Sequence, residues 1–436
     1  MSASRFIAQP VSTLCGELCI PGDKSISHRA LMLGGLAAGT TDIHGFLAGE
    51  DCLATLRALQ QLGVRIERPG EAHVIVRGRG ESGLQPSAER LDMGNAGTAI
   101  RLFMGLLAAQ PFTSTLVGDA SLMRRPMERV AQPLRLMGAR IDTVGGKPPV
   151  TVHGGCSLHG LDYQLPVASA QIKSALLLAG LRAEGMTRIT EPAPSRDHTE
   201  RMLRAFGVAV RQQAGVISLR GGQPLQGAPL QVPADFSSAA FFLVAGCLAS
   251  RGELLLRGVG VNPTRTGLLE LLRQMGADIE VQPREVPQGA EPLADIRVRP
   301  SELRAVTVPA ELVPLAIDEF PVFFIAAACA RGETHLAGAA ELRVKESDRL
   351  AGMAAGLSVL GVENELLTDG LRIRGGAGFT SGTVDSLGDH RIAMAFAVAS
   401  LRAAGPIEIL DVANVATSFP GFLDTARQAG LQIESG

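Results

Sequence analysis

The chain repeats one pattern six times, and this repeat restricts the fold more than any other feature of the sequence. The pattern is an amphipathic helix, a glycine and a short apolar strand, as in TLRALQQLGVRIE from Thr55 onward. The linking glycines lie 69 to 85 residues apart: Gly63, Gly138, Gly207, Gly276, Gly361 and Gly430. Because glycine adopts a positive φ without steric cost, we expect each of them directly after the end of a helix.

A second helix pattern precedes each of these units and is apolar or small on every side. Examples are SALLLAGL from Ser174, AAFFLVAGCL from Ala239 and VFFIAAACA from Val322. A helix of this kind has to be buried, whereas the amphipathic helices keep a polar face. An open solenoid, in which each repeat contacts only its neighbours, is the alternative, but it seldom contains such helices. The repeat therefore favours closed α/β packing, most simply two domains of three units each.

Polar residues stand directly before the six buried helix patterns. The segments are DKSISHR from Asp23, GNAGTAIR from Gly94, SAQIK from Ser169, DFSS from Asp235, IDEFP from Ile317 and DHR from Asp389. Helix capping explains their Ser, Asn and Asp residues. It does not explain their cations, because a cation near a helix N-terminus opposes the helix dipole unless an anion joins it. These cations are Lys24, Arg29, Lys173 and Arg391. We therefore expect an anion-binding site at the helix starts.

Two further charged segments have no single interpretation from their pattern. Residues 118–129 place three arginines around a proline, and residues 341–350 (ELRVKESDRL) alternate in charge before an amphipathic helix. A solvated surface explains either segment, although arginine is also the side chain suited to bidentate phosphate or carboxylate binding. The dinucleotide and Walker glycine spacings are absent, since a Walker loop has a glycine directly before its lysine and Asp23 separates Gly22 from Lys24 here.

Composition excludes several classes of protein. The net charge of −2 argues against nucleic-acid or membrane partners, so cations that bind an anion have to be gathered locally. Six cysteines in 436 residues do not form a disulfide framework, and Cys15 and Cys19 lack a second pair that would complete a metal site. We therefore expect no metal. The sequence shows no apolar signal core or membrane-length apolar run, which predicts a cytoplasmic location.

Motifs along the whole chain carry a family resemblance. They are PGDKSISHRAL, GNAGTAIRL, GDASLMRRPM, ASAQIKSALLLAGL, SRDHTERML, NPTRTG, ELRVKESDRL, DHRIAMAF and ATSFPGF, in this order between residues 21 and 422. With them the chain resembles the 5-enolpyruvylshikimate-3-phosphate synthases (3-phosphoshikimate 1-carboxyvinyltransferases). The resemblance implies a two-domain inside-out α/β barrel of six βαβαββ repeats, three per domain, with buried parallel helices. It implies one domain over residues 22–236 and a second over residues 1–21 plus 237–436, with a hinge near residues 21 and 236.

The same resemblance implies a reaction. The enolpyruvyl group of phosphoenolpyruvate is transferred to the 5-hydroxyl of shikimate-3-phosphate, and phosphate is released through a tetrahedral intermediate. This is a step of the shikimate pathway to chorismate and the aromatic amino acids. The family implies no metal or organic cofactor, no nucleic-acid or membrane partner, and a monomer.

Site residues are carried over from the matching motifs. Shikimate-3-phosphate is expected to contact Lys24, Ser25, Arg29, Ser169, Ala170, Gln171, Arg196, Asp318 and Lys345. Phosphoenolpyruvate is expected to contact Lys24, Gly97, Arg125, Gln171, Arg349 and Arg391. The expected catalytic residues are Asp318 as base at the 5-hydroxyl, Glu346 as proton donor to C3, and Lys24 between both substrates. The carboxylate that accepts the final proton stays open, and His28 is expected to be structural.

Several positions depart from one common branch of the family. Ala170 replaces a serine, Thr417 stands where a lysine often contacts phosphoenolpyruvate, and Leu102 stands where many members have proline. Together with SRDHTE they resemble the second bacterial class, which is known for glyphosate tolerance. The most tolerant members of that class carry alanine at the position of Gly97. We therefore expect this chain to be a glyphosate target that Gly97→Ala would make less sensitive.

Two alternatives remain from the sequence. UDP-N-acetylglucosamine enolpyruvyl transferase shares the fold and the phosphoenolpyruvate chemistry, but its loop carries a cysteine where this chain has Ala120 and Ser121. A non-catalytic anion-binding scaffold would not need both Asp318 and Glu346. Both features favour the shikimate-3-phosphate enzyme.

Overall fold

The computed structural model describes residues 4–287 and 289–436, and the chain passes between two units after Pro21, Val232, Val286 and Glu291. The N-terminal unit contains residues 22–232 together with 287 and 289–291. The C-terminal unit contains residues 4–21, 233–286 and 292–436. The sequence did not indicate that the short segment near residue 290 belongs with the N-terminal unit.

Helices of two kinds alternate along both units. They are α1 (Lys24–Leu36), α2 (Glu50–Gln61), α3 (Gly97–Ala108), α4 (Glu128–Leu136), α5 (Ala170–Gly180), α6 (His198–Ala205), α7 (Phe236–Leu248), α8 (Gly267–Gln274), α9 (Val313–Ala316), α10 (Phe320–Cys329), α11 (Arg349–Val359), α12 (His390–Ala399), α13 (Val415–Ser418) and α14 (Phe422–Ala429). Among the described residues, none of these helices has the length and apolar character needed to cross a membrane.

Strands fill the intervals between the helices. They are β1 (Arg5–Gln9), β2 (Thr13–Leu18), β3 (Thr40–His44), β4 (Arg65–Gly70), β5 (His73–Arg77), β6 (Leu91–Asp92), β7 (Ser114–Val117), β8 (Arg140–Val144), β9 (Lys147–His153), β10 (Asp162–Gln164), β11 (Met186–Thr190), β12 (Val210–Gln213), β13 (Val216–Arg220), β14 (Pro229–Gln231), β15 (Arg251–Gly260), β16 (Asp278–Arg284), β17 (Leu293–Arg299), β18 (Gly332–Leu336), β19 (Asn364–Leu366), β20 (Leu371–Gly375), β21 (Gly382–Asp385), β22 (Ile407–Leu410) and β23 (Gln432–Ser435).

The sheets of the N-terminal unit share one topology. Their strand orders are β14-β3-β5-β4, β6-β7-β9-β8 and β10-β11-β13-β12. In each of them the first pair is parallel and the next two pairs are antiparallel. The C-terminal unit has the orders β16-β17-β15-β2, β21-β22-β1-β23 and β18-β20-β19. The predicted mixed α/β class is confirmed.

The helices that are apolar all round lie inside the two units. Every residue of α7 and of α12 is buried, and Thr98 is the one residue of α3 that is not. Close packing of α3 on α5 requires glycine at Gly105, where a Cβ atom would lie 2.0 Å from the carbonyl oxygen of Ala175. Each unit has its own hydrophobic core around these helices.

The amphipathic helices end as the repeat predicts. All six linking glycines have a positive φ, between +80° at Gly361 and +105° at Gly430. Gly63, for example, follows α2 directly after the C-cap residue Leu62. The prediction of a left-handed glycine after each amphipathic helix is therefore confirmed.

Candidate active site

The starts of four buried helices are capped by side chains. Asp23 caps α1 by accepting a hydrogen bond of 2.9 Å from the backbone N–H of Ile26. Ser169, Asp235 and Asp389 accept in the same way at the starts of α5, α7 and α12. Capping therefore accounts for these residues, and the charged side chains beside them need a separate explanation.

Buried cations lie at the start of α1. Lys24 Nζ lies 3.2 Å from Asp51 Oδ2 and is only partly buried. Arg29 Nε donates to Thr199 Oγ1 at 2.7 Å, and its Nη2 donates to Ser174 Oγ at 2.8 Å. Burial lowers the pKa of Arg29 to about 10, so its guanidinium stays charged near neutral pH. Both side-chain partners are neutral hydroxyl groups. They fix the guanidinium in place without neutralising its positive charge.

His28 lies in the core beside these cations. Its Nδ1 shares a hydrogen bond of 2.8 Å with Thr55 Oγ1, and the residue is fully buried. Burial, reinforced by the charges of Lys24 and Arg29, lowers the pKa of His28 to about 3. The imidazole is therefore neutral at physiological pH, in agreement with the expected structural role.

A second polar cluster surrounds the start of α3. Arg125 Nη2 donates to Asn95 Oδ1 at 2.5 Å and to Ser121 Oγ at 3.3 Å. At Gly97, a Cβ atom would lie 2.8 Å from Arg125 Nη1, so only glycine leaves this guanidinium undisturbed. Arg101 Nη1 donates to Gln171 Oε1 at 2.8 Å, which joins the starts of α3 and α5. The sequence analysis had given no role to Arg101 or Asn95.

Lys173 differs from its sequence-based interpretation as an anion-site cation. Its ammonium group is fully buried and lies 2.9 Å from Glu191 Oε2 and 2.7 Å from Glu200 Oε1. It also donates to the backbone oxygen of Ser195 at 3.3 Å. Burial raises the pKa of Glu200, and the charge of Lys173 opposes that shift. Lys173 therefore compensates two internal carboxylates and secures the segment that precedes Arg196.

The C-terminal unit contains an arginine shared by three carboxylates. Arg349 Nε donates to Asp389 Oδ2 at 2.8 Å, Nη1 to Asp318 Oδ1 at 3.3 Å, and Nη2 to Glu346 Oε2 at 2.5 Å. Burial acts to lower the pKa of Arg349, but the three carboxylates outweigh it and raise the pKa. The two predicted proton carriers, Asp318 and Glu346, are thus held against one guanidinium.

Further cations surround Asp318. Lys345 Nζ lies 3.5 Å from Asp318 Oδ1, and Arg391 Nη1 donates to the backbone oxygen of Asp318 at 2.8 Å. Behind them, Arg265 Nη2 donates to Ser237 Oγ at 2.6 Å and lies 3.8 Å from Glu319 Oε1. Arg265 comes from the NPTRTG motif, for which the sequence analysis had no role.

The structure brings the predicted residues together within each unit. The N-terminal unit holds Lys24, Ser25, Arg29, Gly97, Arg125, Ser169, Ala170, Gln171 and Arg196, all at or near the starts of α1, α3, α5 and α6. The C-terminal unit holds Asp318, Lys345, Glu346, Arg349 and Arg391 around the starts of α10, α11 and α12. Fixed guanidinium groups and paired carboxylates of this kind define an enzyme that acts on small anionic substrates.

Comparisons with known proteins identify the family. A family model described as EPSP synthase (3-phosphoshikimate 1-carboxyvinyltransferase) matches residues 8–426. A 3-phosphoshikimate 1-carboxyvinyltransferase of Methylococcus capsulatus is 57% identical and covers 98% of each chain. That of Halorhodospira halophila is 58% identical over 100% of this chain and 98% of its own. An EPSP synthase structure from Acinetobacter baumannii superimposes with a TM-score of 0.88 at 52% identity, over 99% of this chain and 100% of that chain.

The chain belongs to the EPSP synthase family. The predictions of the family, of an enzyme, and of enolpyruvyl transfer from phosphoenolpyruvate to shikimate-3-phosphate in aromatic amino acid biosynthesis are confirmed.

Replacing Lys173 tests the internal ion pairs. Lys173→Met leaves Glu191 and Glu200 buried without their cation, so we expect the free energy of unfolding to fall by about 3–5 kcal/mol. Urea unfolding measures the change. The matched control is Lys147→Met at an exposed position, which should cost less than about 0.5 kcal/mol. Equal losses in the two variants would contradict the assignment.

Acid should destabilise the protein through His28. The unfolded imidazole has a pKa of about 6.5, whereas the folded one has a pKa of about 3. Between these values the unfolded chain binds a proton that the folded chain does not, so stability falls as the pH falls. His28→Gln should reduce the slope of unfolding free energy against pH by up to about 1.4 kcal/mol per pH unit below about pH 6.

Urea titrations at several pH values measure this slope. The control is His159→Gln, because the His159 side chain is exposed and should leave the slope unchanged. An unchanged slope in His28→Gln would show that the buried imidazole is not the group responsible.

Proposed function

We propose that this enzyme uses Asp318, Glu346 and Lys24 to transfer the enolpyruvyl group of phosphoenolpyruvate to the 5-hydroxyl of shikimate-3-phosphate with release of phosphate. The observation that supports it most strongly is the Arg349 cluster, in which one buried guanidinium contacts Asp318 and Glu346 together. The reaction needs two opposed proton transfers beside an anionic substrate, and paired carboxylates among cations suit that task. The relatives that match over nearly their whole length have names describing this activity.

Shikimate-3-phosphate is proposed to bind mainly at the starts of α1 and α5. Arg29 is a fixed cation there, and the charge of Arg196 is close enough to lower the pKa of Arg29. Because two neighbouring guanidinium groups repel each other, a phosphate or carboxylate between them would be stabilised by both. The proposed set is Lys24, Ser25, Arg29, Ser169, Ala170 through its backbone, Gln171, Arg196, Asp318 and Lys345.

Phosphoenolpyruvate is proposed to bind to Arg125, Arg349 and Arg391, with Lys24 and Gln171 contributing contacts. Gly97 leaves room beside the Arg125 guanidinium, which supports close approach of a small anion. Arg349 now shares its donors among three carboxylates, so the substrate carboxylate would compete with them for the same N–H groups.

The chemistry divides into addition and elimination. In the addition, Asp318 accepts the proton of the 5-hydroxyl while the oxygen bonds to C2 and Glu346 gives a proton to C3. In the elimination, C3 loses a proton, the C2–C3 double bond forms again, and the bond from C2 to the phosphate oxygen breaks. Lys24 stabilises negative charge on the departing phosphate. No step requires a metal or an organic cofactor.

The same proposal includes the detailed repeat architecture, the oligomeric state and the cellular location. They are a two-domain inside-out barrel of six βαβαββ repeats with parallel buried helices, a hinge near residues 21 and 236, a monomer, and a cytoplasmic location. The common sheet topology within the N-terminal unit supports the repeat, and the free thiols of the six cysteines suit a reducing compartment. The substrates proposed are small molecules, with no nucleic-acid or membrane partner.

Phosphate release from phosphoenolpyruvate tests the reaction. We expect phosphate release with shikimate-3-phosphate and none with UDP-N-acetylglucosamine. The enzyme that acts on UDP-N-acetylglucosamine carries a cysteine in the loop where this chain has Ala120 and Ser121. Asp318→Asn should lower kcat by about 10²–10⁴-fold, since it removes the proposed base. The control Asp424→Asn replaces an exposed aspartate and should retain full activity. The assignment would be refuted if phosphate were released with UDP-N-acetylglucosamine but not with shikimate-3-phosphate. Full turnover by a folded Asp318→Asn enzyme would also refute it.

Gly97→Ala tests the expected response to glyphosate. The new methyl group would lie 2.8 Å from Arg125 Nη1, so either the guanidinium moves or the space beside it narrows. Because the methyl group narrows the space proposed for the inhibitor, we expect an overpacking cost of about 1–3 kcal/mol in the complex with glyphosate, which raises the inhibition constant at least about fivefold. Gly70→Ala is the control, because its Cβ would meet only His73 Cβ at 3.7 Å. Equal inhibition constants for Gly97→Ala and the parent enzyme would contradict the hypothesis.

A further inference from the structure

Two histidines and an aspartate meet on the outer face of the first sheet. Asp42 and His44 stand two residues apart on β3, so their side chains leave the same face of the strand. His73 of β5 is the direct antiparallel partner of His44. The opposite face of both strands is buried, with Ile43 and Val74 fully enclosed in the core. The three polar side chains therefore converge at the surface on two hydrogen-bonded strands.

Both imidazoles point at one carboxylate oxygen. His73 Nε2 lies 2.7 Å and His44 Nε2 lies 3.4 Å from Asp42 Oδ1. The two rings are stacked, with centroids 4.3 Å apart and planes inclined by 15°. One ligand atom from each residue lies within 4.8 Å of the other two. Three donors of the types that bind transition metals therefore lie close together.

One of the three ligand separations has the value expected for a tetrahedral ion. Zinc takes imidazole nitrogen and carboxylate oxygen at about 2.0–2.2 Å, which places its ligand atoms about 3.3 Å apart. The separation of His44 Nε2 from Asp42 Oδ1 already has this value within 0.1 Å. The shorter contact of His73 is a hydrogen bond, which an ion would replace as the side chains turn toward it.

Other histidine–carboxylate groups in the described residues lack this arrangement. His153 Nε2 contacts Asp142 Oδ2 at 2.6 Å on another sheet of the same unit, but no second histidine joins them. Asp197, His198 and Glu291 also lie together, yet both carboxylate oxygens of Asp197 accept hydrogen bonds from Arg201 Nε. These groups are accounted for as hydrogen-bonded pairs.

We propose that Asp42, His44 and His73 bind one divalent metal ion of the zinc class, with solvent in the fourth position. Imidazole with a carboxylate suits this class, whereas magnesium and calcium require oxygen ligands. The site uses none of the residues assigned to the reaction and is independent of the proposed function. It departs from the sequence-based expectation of no metal, because the sequence does not show that residue 73 returns beside residue 44.

Binding at this position would cross-link β3 and β5 beside a point where the chain leaves the unit. The backbone oxygen of His44 accepts the N–H of Val232 at 2.8 Å, and the chain passes to the other unit at the next residue. Gly45 follows His44, and a Cβ atom on Gly22 would lie 1.8 Å from the Gly45 oxygen. An ion on His44 therefore stabilises the strand end against which Gly22 and Val232 pack, next to two of the chain crossings.

Calorimetric titration of zinc chloride into the untagged, chelator-treated full chain tests the site. We expect one zinc per chain, and a melting temperature that rises with zinc concentration. His44→Gln and His73→Gln should each weaken the affinity by more than about tenfold, since each removes a direct ligand. Cobalt(II) in place of zinc should give a four-coordinate visible absorption spectrum that both variants lose.

His153→Gln is the matched control, because it removes a similarly hydrogen-bonded histidine from a pair without a third ligand. It should keep the parent affinity and stoichiometry. Turnover of the metal-free enzyme should be the same in the parent and in all three variants, which shows that they fold. Absence of zinc binding by the parent, or equal affinity in the parent, His44→Gln and His73→Gln, would overturn the proposal.

Discussion

Helices without a polar face have to be enclosed completely, and the rest of this structure is arranged to enclose them. In the described C-terminal unit, α7, α10 and α12 contact one another and are surrounded by sheets and by the apolar faces of amphipathic helices. In the N-terminal unit, α3 and α5 approach so closely that Gly105 leaves no space for a side chain. The first N–H groups of a helix have no partner within the helix and need polar groups beside them. In helices that are otherwise enclosed by apolar side chains, polar residues therefore gather at the helix starts.

Charges at these starts are stabilised by compensation. Lys173 and Arg349 are fully buried, and each has carboxylates within hydrogen-bond distance, since an isolated charge in a core would cost several kcal/mol. The two networks differ in what they leave available. Lys173 pairs with glutamates inside the unit, whereas Arg349 shares its donors with the residues proposed to move protons. The first arrangement secures the polypeptide, and the second holds the groups proposed to react in position.

The repeat explains why much of the fold was predictable. Helix patterns with a polar face and helix patterns without one distinguished the two kinds of helix. The glycine after each amphipathic helix has the left-handed φ that its position requires. The family motifs indicated which residues cluster at the helix starts. The sequence could not distinguish Lys173 from its neighbours, because Glu191 and Glu200 lie 18 and 27 residues further on and no period connects them. It placed Asn95 and Arg101 in a polar segment before a helix but did not indicate their contacts with Arg125 and Gln171, and it gave no role to Arg265.

The sequence by itself determined the α/β class, the buried and amphipathic helices, their glycine ends and the family, because these depend on local periodicity and on continuous motifs. Only the tertiary structure decided which charges neutralise one another, since the free energy of a buried ion depends on partners that the chain brings from distant segments. It likewise decided that His28 is neutral, and that His73 stands opposite His44 on the neighbouring strand. Local sequence patterns determine the helices and strands. The ionisation and the ligands of a side chain depend instead on residues that the folded chain brings beside it from distant segments.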